Sequence, residues 1–433
     1  MTVSLGSLVD FQNGFTFKSK EYANAQVAGC EVLRMGYIAR GGGFKEDDKP
    51  VFAPLDSKGN QEKYRLQIGD LVMAMTDMKN NVAILGCVAF IKDGGRFLLN
   101  QRVGRLRVKD ELDTNPRFLY YLLNSPEVLE DVRSRANSGV QVNLTTTGIL
   151  ETELNLPERG IQDSVAHILG TIDDKIELNQ KMNETLEEIA KAIFKSWFVD
   201  FDPVRAKAEG RPTGLPPEIS DLFPDELVDS EIGEIPNGWD VGTLLDVADI
   251  TMGQSPPGDT YNDDGIGLPF YQGSTDFGFR FPSLRKYCSE PKRLADADDV
   301  LISVRAPVGD LNRAKEDCCI GRGLASVRSK NSLQSWVFYR CKFLSRQLET
   351  FNSEGTVFGS INAKDLKGLP TILAPELLSK AFDEIAKPID DAVRNRTLEI
   401  EVLTELRDTL LPKLISGELR IPDAEKFLEE ADI

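Results

Sequence analysis

The sequence contains a single histidine, His167, among its 433 residues, and it lacks the motifs of most enzymes. Serine and cysteine catalytic triads need a histidine base, and most zinc enzymes bind their metal with more than one histidine. No G-x-x-x-x-G-K-[ST] phosphate loop occurs, and Gly321-Arg322-Gly323 lacks the third glycine of a dinucleotide-binding fingerprint. These absences predict a chain that performs no bond chemistry by itself and binds no metal or cofactor.

Cysteine and long apolar runs are scarce as well. The six cysteines form no C-x-x-C pair, and no window reaches the roughly 18 consecutive apolar residues of a membrane helix. The N-terminal MTVSLGSLVDF has no basic patch followed by an apolar stretch, which an export signal would need. We therefore expect a reduced cytoplasmic protein with no membrane segment.

Positive charge is in deficit, but the deficit is uneven. The formal net charge is −18, of which residues 158–235 carry −10 and residues 371–433 carry −7. Residues 1–157 and 236–370 are close to neutral, with net charges of 0 and −1. A neutral segment can still bind a polyanion if its cations share one face, so the total charge does not exclude nucleic acid.

The second half of the chain repeats the first. Ile172-Asp173-Asp174 recurs as Ile389-Asp390-Asp391, Tyr121 matches Tyr339, and the Gly139 loop matches the Gly355 loop. Each copy begins with short β-branched runs bounded by Gly, Asp or Asn, which are typical of strands, and continues into a long helical pattern. The sequence thus predicts an α+β protein with two similar mixed α/β domains in a pseudo-twofold internal repeat.

Apolar residues at spacings of three and four predict a long helix in each copy. The proposed apolar seam comprises Ile172, Ile176, Asn179, Leu186, Ile189, Ile193, Ile389, Val393, Leu403, Leu406 and Leu410. Two seams of similar length in one chain favour an antiparallel coiled coil, in which Asn179 would fix the register. Separate amphipathic helices, each on its own core, remain the alternative.

These patterns divide the chain into six parts. A first globular domain covers residues 1–157 and a second covers residues 236–370. A central long helix occupies 158–200, a Pro-rich connector that we expect to be ordered but non-helical occupies 201–235, a distal long helix occupies 371–419, and a tail occupies 420–433.

Three stretches carry a distinctive sequence: HILGTIDDKIELNQKMNETLEEIAKAIFKSWFVDFDPVRAKAEG, GLPPEISDLFPDELVDSEIGEIPNGWDVGTL and RDTLLPKLISGELRIPDAEKFLEE. With the repeat, they closely resemble the specificity (S) subunit of type I restriction–modification systems over essentially the whole chain. Members of that family carry two target-recognition domains, each reading one half of a split, asymmetric DNA sequence. Two antiparallel helices between the domains set the separation of the half-sites and dock two methyltransferase (M) subunits, and restriction (R) subunits join this core.

The resemblance implies that double-stranded DNA, two M subunits and R subunits are the partners of this chain, with no membrane partner. It implies a non-catalytic role, because S-adenosylmethionine, ATP and Mg would be used by the partner subunits. The assembled complex would be a type I site-specific deoxyribonuclease and adenine-specific DNA methyltransferase. An S subunit of a methylation-only system, without R subunits, would have the same features.

Exposed loops of the two domains are the expected places for base contacts. Gln and Asn pair bidentately with adenine, and Arg contacts guanine or phosphate. We place Gln141 and Asn143 in a reading loop after Gly139, and we expect the other candidates in loops that follow strands or contain glycine. The full set of DNA-binding candidates is Lys79, Asn80, Asn81, Gln101, Arg102, Gln141, Asn143, Gln254, Gln272, Arg305, Arg322, Thr356, Ser360 and Asn362.

Two other classes of protein remain open. A two-headed coiled-coil scaffold that binds a protein or a glycan would also have neutral globular parts in an acidic chain. An enzyme that uses paired carboxylates could employ Asp296, Asp298 and Asp299, although this triplet more simply ends a turn before the strand VLISV.

Overall fold

A computed structural model describes residues 2–18, 22, 29–47, 49–54, 61–78, 82–137, 141–352 and 359–430. The chain divides into a first unit of residues 1–177 with 401–433 and a second unit of residues 178–400. Among the described residues, no helix combines the length and the apolar character needed to cross a membrane.

The first unit contains short strands that match the β-branched runs of the sequence. Their bounds are Thr2–Ser4, Val9–Asn13, Gly29–Leu33, Phe52–Pro54, Leu71–Ala74, Thr76–Met78, Val88–Phe90, Phe97–Leu99, Val103–Val108, Gln141–Asn143 and Glu153–Asn155. The strands of the second unit are Leu227–Ser230, Gly233–Pro236, Asp240–Thr243, Ala248–Met252, Tyr261–Asn262, Leu268–Tyr271, Tyr287–Cys288, Leu294–Ala295, Val300–Ser303, Leu311–Arg313, Cys318–Ile320, Leu324–Ser329 and Pro370–Leu373.

The strands follow the same sheet order in both units. In the first unit, the antiparallel order is Val9–Asn13, Val103–Val108, Leu71–Ala74 and Val88–Phe90. In the second unit, the order Ala248–Met252, Leu324–Ser329, Val300–Ser303 and Leu311–Arg313 reproduces it. This correspondence and the mixture of helices with sheets confirm the predicted α+β class with two similar parts.

A second sheet in each unit contains one parallel pair of strands. Gly29–Leu33 pairs in parallel with Phe97–Leu99 in the first unit, and Leu268–Tyr271 pairs in parallel with Cys318–Ile320 in the second. Because the carboxyl ends of parallel strands meet at one edge, the loops that follow these strands become neighbours.

Helices complete both units. Their bounds are Leu5–Leu8, Pro116–Leu123, Pro126–Ser134, Thr146–Leu150, Arg159–Phe198, Asp202–Ala208, Pro217–Ser220, Leu244–Val247, Gln334–Glu349, Ala363–Lys367, Glu376–Ser416 and Ile421–Glu430. Single 3₁₀ turns lie at Met35–Tyr37, Glu62–Tyr64, Gly258–Thr260, Ser274–Asp276 and Thr350–Asn352. The expectation of a non-helical connector at 201–235 was wrong, because the segment contains the helices Asp202–Ala208 and Pro217–Ser220. Each has a proline in its first turn, where the missing N–H costs no helical hydrogen bond.

Two helices are much longer than the others, and the division between the units falls within both. The central helix, Arg159–Phe198, has 40 residues, and the distal helix, Glu376–Ser416, has 41. In the second unit they lie antiparallel, because Asn183 contacts Thr397 at 3.3 Å while Phe194 packs on Phe382 with ring centroids 5.2 Å apart. In the first unit, Arg407 of the distal helix forms an ion pair with Asp173 of the central helix at 3.0 Å.

The buried face of the central helix is one continuous stripe, and the predicted apolar seam leaves it after Asn179. Ile172, Ile176 and Asn179 are buried, but the buried positions then continue through Asn183, Glu187, Ala190 and Phe194. Ile189 is 45% exposed, so its assignment to the buried seam was wrong. The predicted seam residues Leu186, Ile189 and Ile193 lie beside the buried face, which includes the amide of Asn183 and the carboxylate of Glu187.

The remaining seam candidates differ in exposure. Val393, Leu403 and Leu410 are buried, whereas Leu186, Ile193, Ile389 and Leu406 are half-buried.

Aromatic side chains join the long helices of the second unit to its globular part. Phe194, Trp197 and Phe198 of the central helix pack with Phe382 of the distal helix and Trp336 of the helix Gln334–Glu349. All five are buried, so they form the centre of the largest described hydrophobic core of this unit.

Candidate nucleic-acid interface

In the second unit, exposed loops meet at the ends of the two parallel strands. Gln272 follows Leu268–Tyr271, and Arg322 follows Cys318–Ile320 after one glycine. The Gly321 N–H donates to Tyr271 O at 2.8 Å, and the Gly323 N–H donates to Gln272 O at 3.1 Å. These backbone bonds hold two loops that are distant in sequence against each other.

A third loop adds Gln254 and Ser255 to this edge. The Gln254 N–H donates to Ile320 O at 3.0 Å, and the Ser255 hydroxyl donates to Gln272 Oε1 at 3.1 Å. Gln272 Nε2 donates back to Ser255 Oγ at 3.0 Å. The amide of Gln272 is therefore oriented by a partner, which restricts the direction in which it can meet a ligand.

Arg305 lies beside the same edge on a fourth loop. Val304 donates its N–H to Gly323 O at 2.9 Å, and Arg305 forms a β-bridge with Ser360. Arg305 and Arg322 are exposed, and neither guanidinium forms an ion pair with a described residue. Free guanidinium groups on a rigid backbone can donate to phosphate or to a guanine edge.

Glycine is required where these loops approach each other. A Cβ on Gly321 would lie 2.5 Å from Gln272 Oε1, and one on Gly323 would lie 2.5 Å from Gln272 O. At Gly253 a Cβ would lie 2.2 Å from Gly321 O. The contacts at Gly323 and Gly253 are with backbone oxygens, so these two positions require glycine, whereas a side chain at position 321 would displace the Gln272 amide.

The first unit builds the corresponding edge. Gln101 and Arg102 form the turn after Phe97–Leu99, and the Thr16 hydroxyl donates to Gln101 Oε1 at 3.1 Å. The Met75 N–H donates to Arg102 O at 2.9 Å, as Val304 does to Gly323 in the second unit. Leu144 then donates to Met75 O at 2.8 Å, matching the bond from Ile361 to Val304 at 3.0 Å.

A turn with an acidic centre supports this edge of the first unit. Asp77 Oδ2 accepts the N–H groups of Ala83 at 2.8 Å and Ile84 at 2.7 Å, and it also accepts from Leu85 at 3.3 Å. Burial alone would raise the pKa of the Asp77 carboxyl, but these backbone bonds and one from Met78 outweigh it and lower the pKa.

The family assignment follows from comparison with known proteins. A family model described as the type I restriction modification DNA specificity domain matches residues 1–188 and 236–406, which is most of the chain. A putative type I restriction enzyme MjaX specificity subunit of Methanocaldococcus jannaschii is 32% identical over 368 residues, with 83% of this chain and 80% of the relative covered. The chain belongs to this family.

Further relatives agree with the specificity-subunit assignment. The type I restriction enzyme HindI specificity subunit of Haemophilus influenzae is 28% identical over 363 residues. The alignment covers 70% of this chain and 77% of that relative. The crystal structure of a type I restriction–modification S subunit from M. genitalium has the same fold, with a TM-score of 0.59, 16% identity, and coverage of 96% of this chain and 95% of that chain.

Membership confirms two predictions made from the sequence. The resemblance to S subunits was correct, and the chain is a specificity subunit, the non-catalytic component of its system. The structure gives one of the three carboxylates considered for an enzyme a structural role. Asp299 is 2% exposed, and its two carboxylate oxygens bind the Arg328 guanidinium at 2.8 and 2.9 Å. Among the described residues, no group of three or more His, Cys, Asp or Glu could hold a metal ion.

The structure brings several sequence candidates of the specificity subunit together and corrects others. Gln254, Gln272, Arg305, Arg322 and Ser360 converge on one edge of the second unit, as described above. Gln141 and Asn143 were expected in a loop, but they lie in the strand Gln141–Asn143, opposite Met78 and Thr76. This segment becomes a strand because its backbone pairs antiparallel with the strand Thr76–Met78.

Five other DNA-binding candidates are not placed in this cluster of loops. The Asn362 side chain accepts the Asp365 N–H at 3.0 Å and so caps the helix Ala363–Lys367. Lys79, Asn80, Asn81 and Thr356 lie outside the described residues, as do the Gly139 and Gly355 loops. The sequence analysis missed Gly14 and Gly253, although each follows a strand and is flanked by Asn or Gln, which is a signal of a polar loop.

Proposed function

We propose that this specificity subunit reads a DNA target in two parts, with one part bound by the loop edge of each unit. The observation that carries the proposal is the repeated edge, in which the Arg102 turn and the Arg322 turn occupy matching places at the ends of matching strands. Oriented amides such as that of Gln272 suit base edges, whereas the free guanidinium groups suit phosphates or guanine.

Charge also favours this assignment. The globular parts are close to neutral while the segments that contain the long helices are acidic. Acidic helices repel a phosphate backbone, so DNA would approach the loop edges, where Arg305 and Arg322 are exposed. We propose a cytoplasmic location for the protein, where it would meet this DNA.

Methylome sequencing tests the proposal directly. We expect the host to carry a two-part methylated motif, and we expect methylation of that motif to disappear when the gene for this chain is deleted. Restoring the gene should restore the same motif. A deletion strain with an unchanged methylome would overturn the proposal, and the protein or glycan scaffold would then become the better interpretation.

We further propose that the helices of this chain dock two methyltransferase subunits. In the second unit, Leu178, Met182 and Ile189 of the central helix are 53%, 38% and 45% exposed. Their spacing of four and seven residues places them on one face, and exposed apolar stripes of this kind commonly receive a partner helix. S-adenosylmethionine, ATP and Mg would then bind the partner subunits, including any restriction subunits.

Co-purification tests the docking proposal. A tagged chain expressed with the methyltransferase of its host should recover two copies of that subunit per chain, as measured by native mass spectrometry. Recovery of the chain alone, under conditions in which both proteins are folded, would contradict it. Addition of the restriction subunit distinguishes a cleaving complex from one that only methylates.

A further inference from the structure

Arg280 is a deeply buried charge of the second unit, and it lies between the two long helices. Its side chain is 1% exposed, and its Nη1 donates to Asp390 Oδ1 of the distal helix at 2.9 Å. Its Nη2 lies 3.0 Å from Glu187 Oε2 of the central helix. One guanidinium from the globular part thus contacts both helices at once.

Two more side chains bind Asp390, and Lys342 pairs with Glu187. Arg313 Nη1 donates to Asp390 Oδ2 at 2.7 Å, and the Tyr339 hydroxyl donates to Asp390 Oδ1 at 3.2 Å. We call Arg280, Arg313, Tyr339, Glu187 and Asp390 the second anchor. Both carboxylate oxygens of Asp390 are bound by groups from outside its own helix.

The first unit has a related but more exposed group. The Tyr121 hydroxyl donates to Asp173 Oδ2 at 2.6 Å, and Arg117 binds Asp174 through both guanidinium Nη atoms at 2.7 and 2.9 Å. We call Tyr121, Arg117, Asp173 and Asp174 the first anchor. Tyr121 and Tyr339, like Asp173 and Asp390, are the pairs that the sequence repeat matched, so the same tyrosine–aspartate contact occurs in both units.

Stability alone does not account for such a group. Buried ion pairs often contribute little net stability, because desolvation of the charges offsets their attraction. Their distinguishing property is direction, since a guanidinium fork bonds only in its plane and along its N–H bonds. The anchors therefore restrict how each globular part is oriented on its helices more than they hold it there.

The second anchor connects to the reading edge through one strand. Arg313 pairs with Val300, and the strand Val300–Ser303 leads to Arg305. Residues 300–305 span roughly 16 Å at about 3.3 Å per residue, so a tilt of about 5° at the anchor would move Arg305 by about 1.5 Å. Displacing a half-site by one base pair moves it by about 3.4 Å and turns it by roughly 35°.

We propose that each anchor fixes the orientation of its reading edge on the long-helix segments of its own unit, so that loosening an anchor lets this specificity subunit tolerate altered spacer lengths between the two parts of its target. The inference rests on the proposed function. It assigns Tyr121, Asp173, Arg280, Tyr339 and Asp390 as positioning residues that act on DNA through the loops and not by contact.

The test uses the full chain with its co-purifying methyltransferase and duplexes that carry the motif found by methylome sequencing. Duplexes with the native spacer, one base pair fewer and one more are compared with a duplex that has one changed base within a half-site. We expect Tyr339→Phe and Asp390→Asn to reduce discrimination against the altered spacers by about tenfold, while discrimination against the changed base stays within about twofold of wild type.

Asp391→Asn is the matched control, because Asp391 is exposed and pairs only with Lys387 of its own helix among the described residues. It should leave both ratios unchanged. Tyr339→Phe removes one hydroxyl and leaves no unpaired charge, so it keeps the proposal testable if Asp390→Asn fails to fold. An unchanged spacer ratio in Tyr339→Phe, or a parallel fall of both ratios, overturns the anchor proposal; failure of the wild-type complex to bind any two-part target overturns the proposed function instead.

Discussion

Arg328 binds Asp299 with two hydrogen bonds, from Nε to Oδ1 at 2.8 Å and from Nη2 to Oδ2 at 2.9 Å. Arg107 and Asp70 form the same bidentate pair in the first unit, at 2.6 and 2.7 Å. In both pairs the aspartate comes directly before a central strand and the arginine lies on the neighbouring strand. The pairs therefore fix the strands whose far ends carry the reading loops.

The Arg328–Asp299 pair predicts an asymmetric response to mutation. Asp299 is 2% exposed, whereas the side chain of Arg328 is 45% exposed, so loss of the arginine leaves a buried carboxylate without a counter-ion, bound only by the Ser326 hydroxyl and the Asp296 N–H among the described residues. We expect Arg328→Met to cost about 3 kcal/mol of unfolding free energy and Asp299→Asn about 1–2 kcal/mol, because the remaining arginine can be solvated. Urea denaturation measures both, and an equal or larger cost for Asp299→Asn would contradict the explanation.

Arg305 and Arg322 should both contribute to DNA binding. If the proposed edge reads DNA, Arg322→Ala should weaken binding to the native target by about 1–3 kcal/mol, and a phosphate contact would also reduce the salt slope by about one. Fluorescence anisotropy at several salt concentrations separates a base contact from a phosphate contact. Arg211→Ala is the control, since Arg211 is exposed and pairs with Glu209 away from these loops.

Gly321→Ala should mimic the loss of Gln272. The added methyl group would lie 2.5 Å from Gln272 Oε1 and would displace that amide from Ser255. We expect Gly321→Ala and Gln272→Ala to reduce specific affinity to a similar extent, and the double variant to lose little more, because both changes act on one contact. Gly258→Ala is the control, since a Cβ there meets nothing within 4 Å; additive losses would argue against a shared contact.

Neighbouring positions on the central helix separate docking from folding. Ile189 is 45% exposed and Ala190 is fully buried. Ile189→Asp should leave the thermal midpoint within a few degrees of wild type but abolish recovery of the methyltransferase, whereas Ala190→Asp should unfold the protein because a buried charge without a partner is costly. Normal recovery of the methyltransferase by Ile189→Asp would remove this stripe as the docking surface.

Asp77 should make the first unit sensitive to acid. The pKa of its carboxyl is lower in the folded protein than in the unfolded chain, so its contribution to stability is present above the unfolded pKa of about 4 and is lost as the pH falls through the folded value. Asp77→Asn should therefore destabilise the protein at pH 7 and differ progressively less from wild type below about pH 4. A difference in unfolding free energy that stays constant from pH 7 to pH 3 would show that the charge of Asp77 is not involved.

The repeat allowed the sequence to predict much of the architecture. Ile172-Asp173-Asp174 and its copy marked both long helices, because helical spacing is a local property that the sequence displays directly. The error at Ile189 has a physical cause. Two adjacent stripes on the central helix both have helical spacing, and only the packing of neighbouring elements decides which one is buried.

The sequence predicted the residues of the candidate site only as members of separate loops. Gln272 and Arg322 each follow a strand, and turn-forming neighbours made both visible as loop residues. Nothing local indicates that they are adjacent, because that depends on the parallel pairing of Leu268–Tyr271 with Cys318–Ile320. The placement of Gln141 in a loop failed for the same reason, since its strand exists only by pairing with Thr76–Met78.

By itself, then, the amino-acid sequence determined the duplication, the α+β class, the two long helices and the specificity-subunit family. Each of these follows from the spacing of apolar residues or from motifs that are contiguous in the sequence. The tertiary structure alone decided which helix face is buried, which loops share an edge, and that Arg280 lies between Glu187 and Asp390. These contacts join residues from distant parts of the chain, and their free energy depends on solvent exclusion by the assembled fold, which no single segment contains.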